Sequence, residues 1–261
     1  MDISKFFNPD EKPLDNLVTD GGFCGIFRTI GCVGDSLSSG EFESFSDEGI
    51  TGWHDYYEYS WGQYIARNTG SKVYNFSKGG MTAKEFMESF GMKCGAFSTP
   101  CQAYILALGV NDAGDWTNIE MGTPEDVGKK GNDTFASAFT NIVVTLKRLQ
   151  PKAKFFLMTM PREDYADDKD WKKGDIHAEI MYEIAKKYKN CYVLDFRKYA
   201  PVYDTDFKNK FYLANHLNPM GYALTAHMVE SYIDYIIRHN TDDFKQVGFI
   251  GTPYHNCNEK W

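Results

Sequence analysis

Short, largely continuous apolar runs rich in β-branched and aromatic residues recur at IFRTIGCV (26–33), KVYNF (72–76), AYILAL (103–108), KFFLMT (154–159) and CYVLDF (191–196). Runs of this length without polar alternation predict parallel strands buried on both faces. Between them the apolar period lengthens to that of a helix. Thr82 followed by Glu85 is a capping-box start for a helix through about Phe90. Phe135, Phe139, Ile142, Val143, Leu146 and Leu149 form an apolar stripe that stops at Pro151. Ile176, Ile180 and Ile184 repeat the pattern after Asp175. The last helix opens with Asn218 as cap and Pro219 in its first turn, then places Met228, Val229, Tyr232, Ile233 and Ile236 on one side.

Strand and helix alternating through five units predict an α/β fold of the doubly wound, flavodoxin-like kind, a three-layer α/β/α sandwich around a parallel sheet of about five strands. With 261 residues, 43% of them hydrophobic, the chain can bury a full core as a single domain. We place the core at about 26–240, with an N-terminal arm over 1–25 and a C-terminal tail over 241–261 that serve as packing arms or are disordered. No run approaches the roughly 20 apolar residues of a membrane span. The opening MDISKFFNPDEKPLDN lacks the basic and apolar regions of a secretory signal, which predicts a cytoplasmic protein. A net charge of −8 spread through the loops would repel a phosphate backbone or an anionic membrane surface. Neither nucleic acid nor membrane is expected as a partner; oligomeric state is left open. Cys24, Cys32, Cys94, Cys101, Cys191 and Cys257 include no CxxC pair. A zinc site or disulfide framework is therefore not expected.

Four short segments carry candidate chemistry: IGCVGDSLSSGE (30–41), NFSKGGMT (75–82), LALGVND (106–112) and NHLNPMGY (215–222). Ser36, Gly80 and Asn111 each follow a strand within a few residues, at the carboxyl edge where such sheets bind ligands. His216 precedes the final helix, whose N-terminus faces the same edge if the winding continues. Each residue taken singly is an ordinary turn or cap residue; their convergence on one rim is what gives them weight. A serine hydroxyl needs a neighbouring base, and His216 is the best placed of the six histidines. Gly80 offers a backbone N–H where a side chain would block approach, and Asn111 an amide that stays neutral. Loops over 113–132 and 161–174 overhang the rim. Their Trp116, Met121, Tyr165 and Trp171 are the expected wall of a substrate pocket, and DDKD (167–170) is a solvated charge run.

In this order the four segments resemble the blocks of the SGNH (GDSL) hydrolase family, over most of the chain from about Ile26 to the helix after His216. The resemblance implies Ser36 as nucleophile, His216 as base, and an oxyanion hole formed by the N–H groups of Ser36 and Gly80 with the side chain of Asn111. It implies no cofactor and no metal. The family usually carries an aspartate three residues before the histidine, where this chain has Leu213. Asp204 or Asp206 in the preceding loop, or a backbone carbonyl, would then hold the ring. The expected activity is that of a serine esterase cleaving a carboxylic ester through an acyl-enzyme, with a small, acetyl-like acyl group on a polar or carbohydrate alcohol. A thioesterase or aryl esterase would use the same residues, and Leu213 also permits a non-catalytic ligand-binding protein on the same fold. His54 beside Asp55 resembles a metal-site dipeptide but more simply begins a helix in WHDYYEYSWGQYIARN. His177 with Glu179 lacks the Cys pair that a zinc deaminase requires.

Overall fold

The apolar runs pair as a parallel sheet of five strands. The computed structural model describes residues 2–164 and 168–252 and, for 168–171, the backbone alone. In chain order the strands are β1 (Thr29–Gly34), β2 (Glu41–Ser46), β3 (Gly49–Asp55), β4 (Lys72–Ser77), β5 (Ala103–Ala107), β6 (Lys154–Met158) and β7 (Cys191–Leu194). The sheet runs β4-β1-β5-β6-β7, while β2 and β3 form a separate antiparallel hairpin. The order reverses at β1, which pairs with β4 on one side and β5 on the other. That switch point opens a crevice at the carboxyl ends of β1 and β5.

The main helices are α1 (Ser36–Ser39), α2 (Trp61–Thr69), α3 (Val110–Ala113), α4 (Phe135–Leu149), α5 (Asp168–Lys187), α6 (Thr205–Phe211) and α7 (Pro219–His239). Thr82 starts a further helical stretch over 83–93 by accepting the Glu85 N–H, as its capping signature predicts. Two apolar clusters lie on opposite faces of the sheet. Val33, Phe76, Leu106, Phe155 and Leu157 pack with Phe135, Phe139 and Ile142 of α4 and Ile180 and Ile184 of α5. On the other face Ile30, Cys32, Ile105 and Phe156 pack with Trp61 and Ile65 of α2 and with Val229, Ile233 and Ile236 of α7. The result is a three-layer α/β/α sandwich.

Both ends of the described chain lie against this body. Arg238 of α7, largely buried, joins Glu11 at 2.6 Å to Asp234 at 2.7 Å. At the other end Phe244 packs on Phe27 and Tyr192, and Gln102 donates to the Gly248 carbonyl. Among the described residues no helix is long and apolar enough to cross a membrane. The described cysteines are all free thiols.

Candidate active site

Strand β1 ends at Gly34, where an added Cβ would meet Ser38 Oγ at 2.1 Å. A side chain at this position would collide with Ser38 of α1, so glycine is needed here. Asp35 caps α1 by accepting the Leu37 N–H at 3.1 Å, and Ser36 is the first helical residue. Asp35 Oδ2 is buried without a described partner. Burial, with Asp112 and Glu41 adding like charge, pushes the Asp35 carboxyl up to about 7. Unfolded, the carboxylate ionises near its ordinary 3.8. Between those values the unfolded chain loses a proton that the folded chain keeps, so stability falls as pH rises, by about 1.4 kcal/mol per pH unit. Asp35→Asn should therefore gain stability relative to the wild type steadily from pH 4 to 7 in urea unfolding. A difference that is constant across that range would show that Asp35 is not the group responsible.

Asn111 sits in α3 directly after β5, and its Nδ2 donates to the Met81 carbonyl at 3.1 Å. One amide hydrogen remains for a ligand. Asp112 accepts the Ala83 N–H with both carboxylate oxygens, at 3.0 and 3.1 Å. These two neighbours pin the loop that contains Gly80 to the end of β5. Gly80 has φ +72°, and an added Cβ there would meet nothing within 4 Å. Its left-handed backbone favours glycine.

His216 lies in the tight turn before α7, whose cap Asn218 accepts the Gly221 N–H at 3.0 Å. Its Nδ1 donates to Glu43 Oε1 at 2.9 Å, and the same oxygen accepts the Asn215 N–H at 2.8 Å. Its Nε2 lies 3.1 Å from Glu41 Oε1. The orienting acid expected in the preceding loop is therefore neither Asp204 nor Asp206, and no backbone carbonyl takes its place. Asp204 caps α6 by accepting the Phe207 N–H, and Asp206 is an exposed partner of Lys210. Leu213 points its half-exposed side chain outward while its N–H donates to the His216 carbonyl. Glu43 reaches the ring because β2 alternates: Glu41 and Glu43 are buried on one face, and Phe42 lies on the other. The alternation holds only over Glu41-Phe42-Glu43, because the hairpin register shifts at Ser44/Phe45, so the sequence carries only a short period-2 signal for it.

His54 belongs to β3 and not to a helix start; its Nε2 lies 3.1 Å from Ser44 Oγ across the hairpin. His177 is a core residue, with Nε2 3.0 Å from the Leu108 carbonyl and its ring stacked on Phe135. Burial lowers it to about 4, so it is neutral.

Ser36, Asn111 and His216 line one open cleft of about 580 Å³. Gly80 is not among the residues that line it. Of the expected wall, Trp116 stands at the rim, 73% exposed, whereas Met121 is buried in the core. Tyr165 and the side chain of Trp171 lie outside the described residues. Lys173, Arg197, Lys208, Asp115 and Glu163 also face the cleft. A small apolar cavity of about 40 Å³ adjoins it, sharing Leu37, Val110, Met160 and Pro161.

The profile of the GDSL-like Lipase/Acylhydrolase family matches residues 32–224, well over half of the chain. No curated protein matches it. Similar solved structures include a psychrotrophic esterase from Pseudoalteromonas sp., inhibited by monoethylphosphonate, at 16% identity over 80% of this chain and 98% of that one, with a TM-score of 0.50. A carbohydrate esterase family 2 enzyme with a carbohydrate-binding domain from Corynascus thermopiles (Myceliophthora fergusii) is 15% identical over 80% of this chain and 66% of that one, with a TM-score of 0.57. A family 3 carbohydrate esterase from Clostridium thermocellum is 14% identical over 80% and 96%, with a TM-score of 0.52. At such identities the likeness is one of fold.

Proposed function

This chain belongs to the GDSL-like lipase/acylhydrolase family and is a carboxylic ester hydrolase, and from that premise we propose that it cleaves short acyl esters of a polar alcohol through an acyl-enzyme on Ser36. The observation that carries this reading is the bond from His216 Nδ1 to the buried Glu43 carboxylate, in a ring that lines the same cleft as Ser36 and Asn111. Glu43 fixes the tautomer that leaves Nε2 as the basic nitrogen. Nε2 takes the Ser36 hydroxyl proton as Oγ bonds to the acyl carbon. The carbonyl oxygen becomes an oxyanion, met by the N–H groups of Ser36 and Gly80 and by the second amide hydrogen of Asn111. Each such donor is worth about 2.7–4 kcal/mol. The proton on Nε2 then passes to the leaving alkoxide, and water repeats the sequence in reverse to free Ser36.

The cavity beside Asp35 and Ser38 has room for about three water-sized groups, which suits an acetyl chain. The charged residues of the open cleft suit a polar alcohol such as a sugar. Leu213 no longer favours a non-catalytic binder, since Glu43 stands where the ring needs an acid.

A fluorophosphonate probe should label Ser36 at pH 8, as read by peptide mass spectrometry. The kcat/KM on p-nitrophenyl esters should drop steeply from acetate to octanoate, and acetylated xylo-oligosaccharides should be hydrolysed. Absence of label on Ser36 would remove the nucleophile. A preference for octanoate, or for a thioester, would overturn the proposed substrate.

A further inference from the structure

His216 has a glutamate beside each ring nitrogen. Glu43 takes Nδ1 and Glu41 faces Nε2, the nitrogen that must act on Ser36. The two glutamates stand two residues apart on one face of β2, roughly 6.7 Å along the strand, and bracket the ring between them. Glu41 is largely buried, and among the described residues its carboxylate has this ion-pair contact and no hydrogen bond. Its second oxygen occupies the space that a side chain at position 79 would fill: a Cβ on Gly79 would lie 1.9 Å from Glu41 Oε2. The Tyr222 hydroxyl binds the Glu41 carbonyl and not its carboxylate, so this main-chain tie survives any change of side chain.

We propose that Glu41 is a positioning residue that latches the base: in the free enzyme it holds Nε2 off Ser36 Oγ, and catalysis runs from the form in which this contact has opened. The inference rests on the serine–histidine reading above. A base needs a bare lone pair on Nε2. With Glu41 3.1 Å from Nε2, the carboxylate's negative charge favours a proton on Nε2, as an imidazolium beside a carboxylate. A protonated Nε2 has no lone pair to offer Ser36. Opening sends that proton to solvent and turns the carboxylate aside, so that Nε2 can accept the Ser36 hydroxyl proton.

The charged and titratable groups around Glu41 favour holding the proton. Glu43 lies on the same strand, Asp55 and His54 come from β3, and His216 from the turn before α7. Tyr222 of α7 and Asp35 at the end of β1 border the same group. Burial raises the Glu41 carboxyl; His216 and, less, His54 oppose this, while Asp55 and Glu43 reinforce it. Asp55 is itself held by the Ser39 hydroxyl and faces the Gly79 N–H at 3.4 Å.

The test is the pH dependence of kcat/KM on p-nitrophenyl acetate from pH 4.5 to 9 for the wild type, Glu41→Gln, Glu41→Ala and Glu41→Asp. Gln is an isostere without charge or titratable proton, whose amide can still donate to Nε2, and Ala removes the contact altogether. In both, the acid limb should move to lower pH by about one unit, the size of shift that losing one adjacent opposite charge produces. Activity at pH 5.5 and the rate of fluorophosphonate labelling of Ser36 there should both rise several-fold. Glu41→Asp, which keeps the charge, should follow the wild-type profile. An acid limb that stays in place in Gln and Ala, with or without a uniform loss of rate, overturns the latch and leaves Glu41 a structural residue. If Ser36 is labelled in the wild type but the limb does not move, the latch alone fails. If Ser36 is never labelled at any pH, the catalytic reading falls and the latch with it.

Discussion

Ser36→Ala is expected to lower kcat for ester hydrolysis by about a millionfold, the loss seen when a nucleophile that acts with its base is removed. It should leave the melting temperature at the wild-type value. The chemical half follows from the mechanism: no other group in the cleft stands where the Ser36 hydroxyl stands, and the oxyanion donors alone retain only a residual about 10³–10⁴-fold advantage over water. The structural half follows from what the residue does for the fold. The Ser39 hydroxyl, the Gly40 N–H and the Tyr222 hydroxyl all reach the main-chain carbonyl of Ser36, which alanine keeps. A substitution of this kind should change stability by no more than about 0.5 kcal/mol. Retention of even a few per cent of the rate, in protein whose Ser36→Ala substitution is verified by mass, would move the nucleophile elsewhere.

The layers of the fold were legible because a buried parallel strand and an amphipathic helix leave different periods in the sequence. All five apolar runs became the sheet, in the order that five βα units imply. That Ser36, Asn111 and His216 would come together at one cleft was legible for a related reason: the ends of such strands have few places to put reactive groups, and the motif order matched one family. Glu43 was not. It sits in an insertion between β1 and α2 that the five-unit pattern did not require, and two glutamates alternating with Phe42 look like a polar loop unless they are tested for a period of two. The acid was sought near His216 in sequence, while the ring finds it in space, on a hairpin 173 residues away. Met121 was misplaced for a simpler reason. It lies in a long loop, but the loop folds back so that Ala136 donates its N–H to the Met121 carbonyl, and the side chain joins the core.

Glu43→Ala should lower kcat by about 10⁴-fold, as when a triad histidine loses the acid that holds its tautomer, with KM nearly unchanged because Glu43 does not touch the substrate. Glu43→Gln should be milder, and the reason lies in the donors around it. Glu43 Oε1 accepts both the Asn215 N–H and His216 Nδ1, whereas Oε2 has no described partner. Two converging donors force a glutamine to keep its oxygen at that point and to turn its NH₂ toward the unpartnered side. The ring then keeps its tautomer and loses only the charge opposite the imidazolium. A charge-assisted bond is worth about 1.5–3 kcal/mol, so the expected loss is about a hundredfold. Asp204→Asn and Asp206→Asn should leave kcat unchanged, since the first keeps a capping oxygen and the second alters an exposed pair with Lys210. A Glu43→Ala enzyme within about tenfold of wild type would return the orienting role to a main-chain carbonyl. An Asp204→Asn or Asp206→Asn enzyme as crippled as Glu43→Ala would instead require the loop before His216 to rearrange in solution and bring an aspartate to Nδ1.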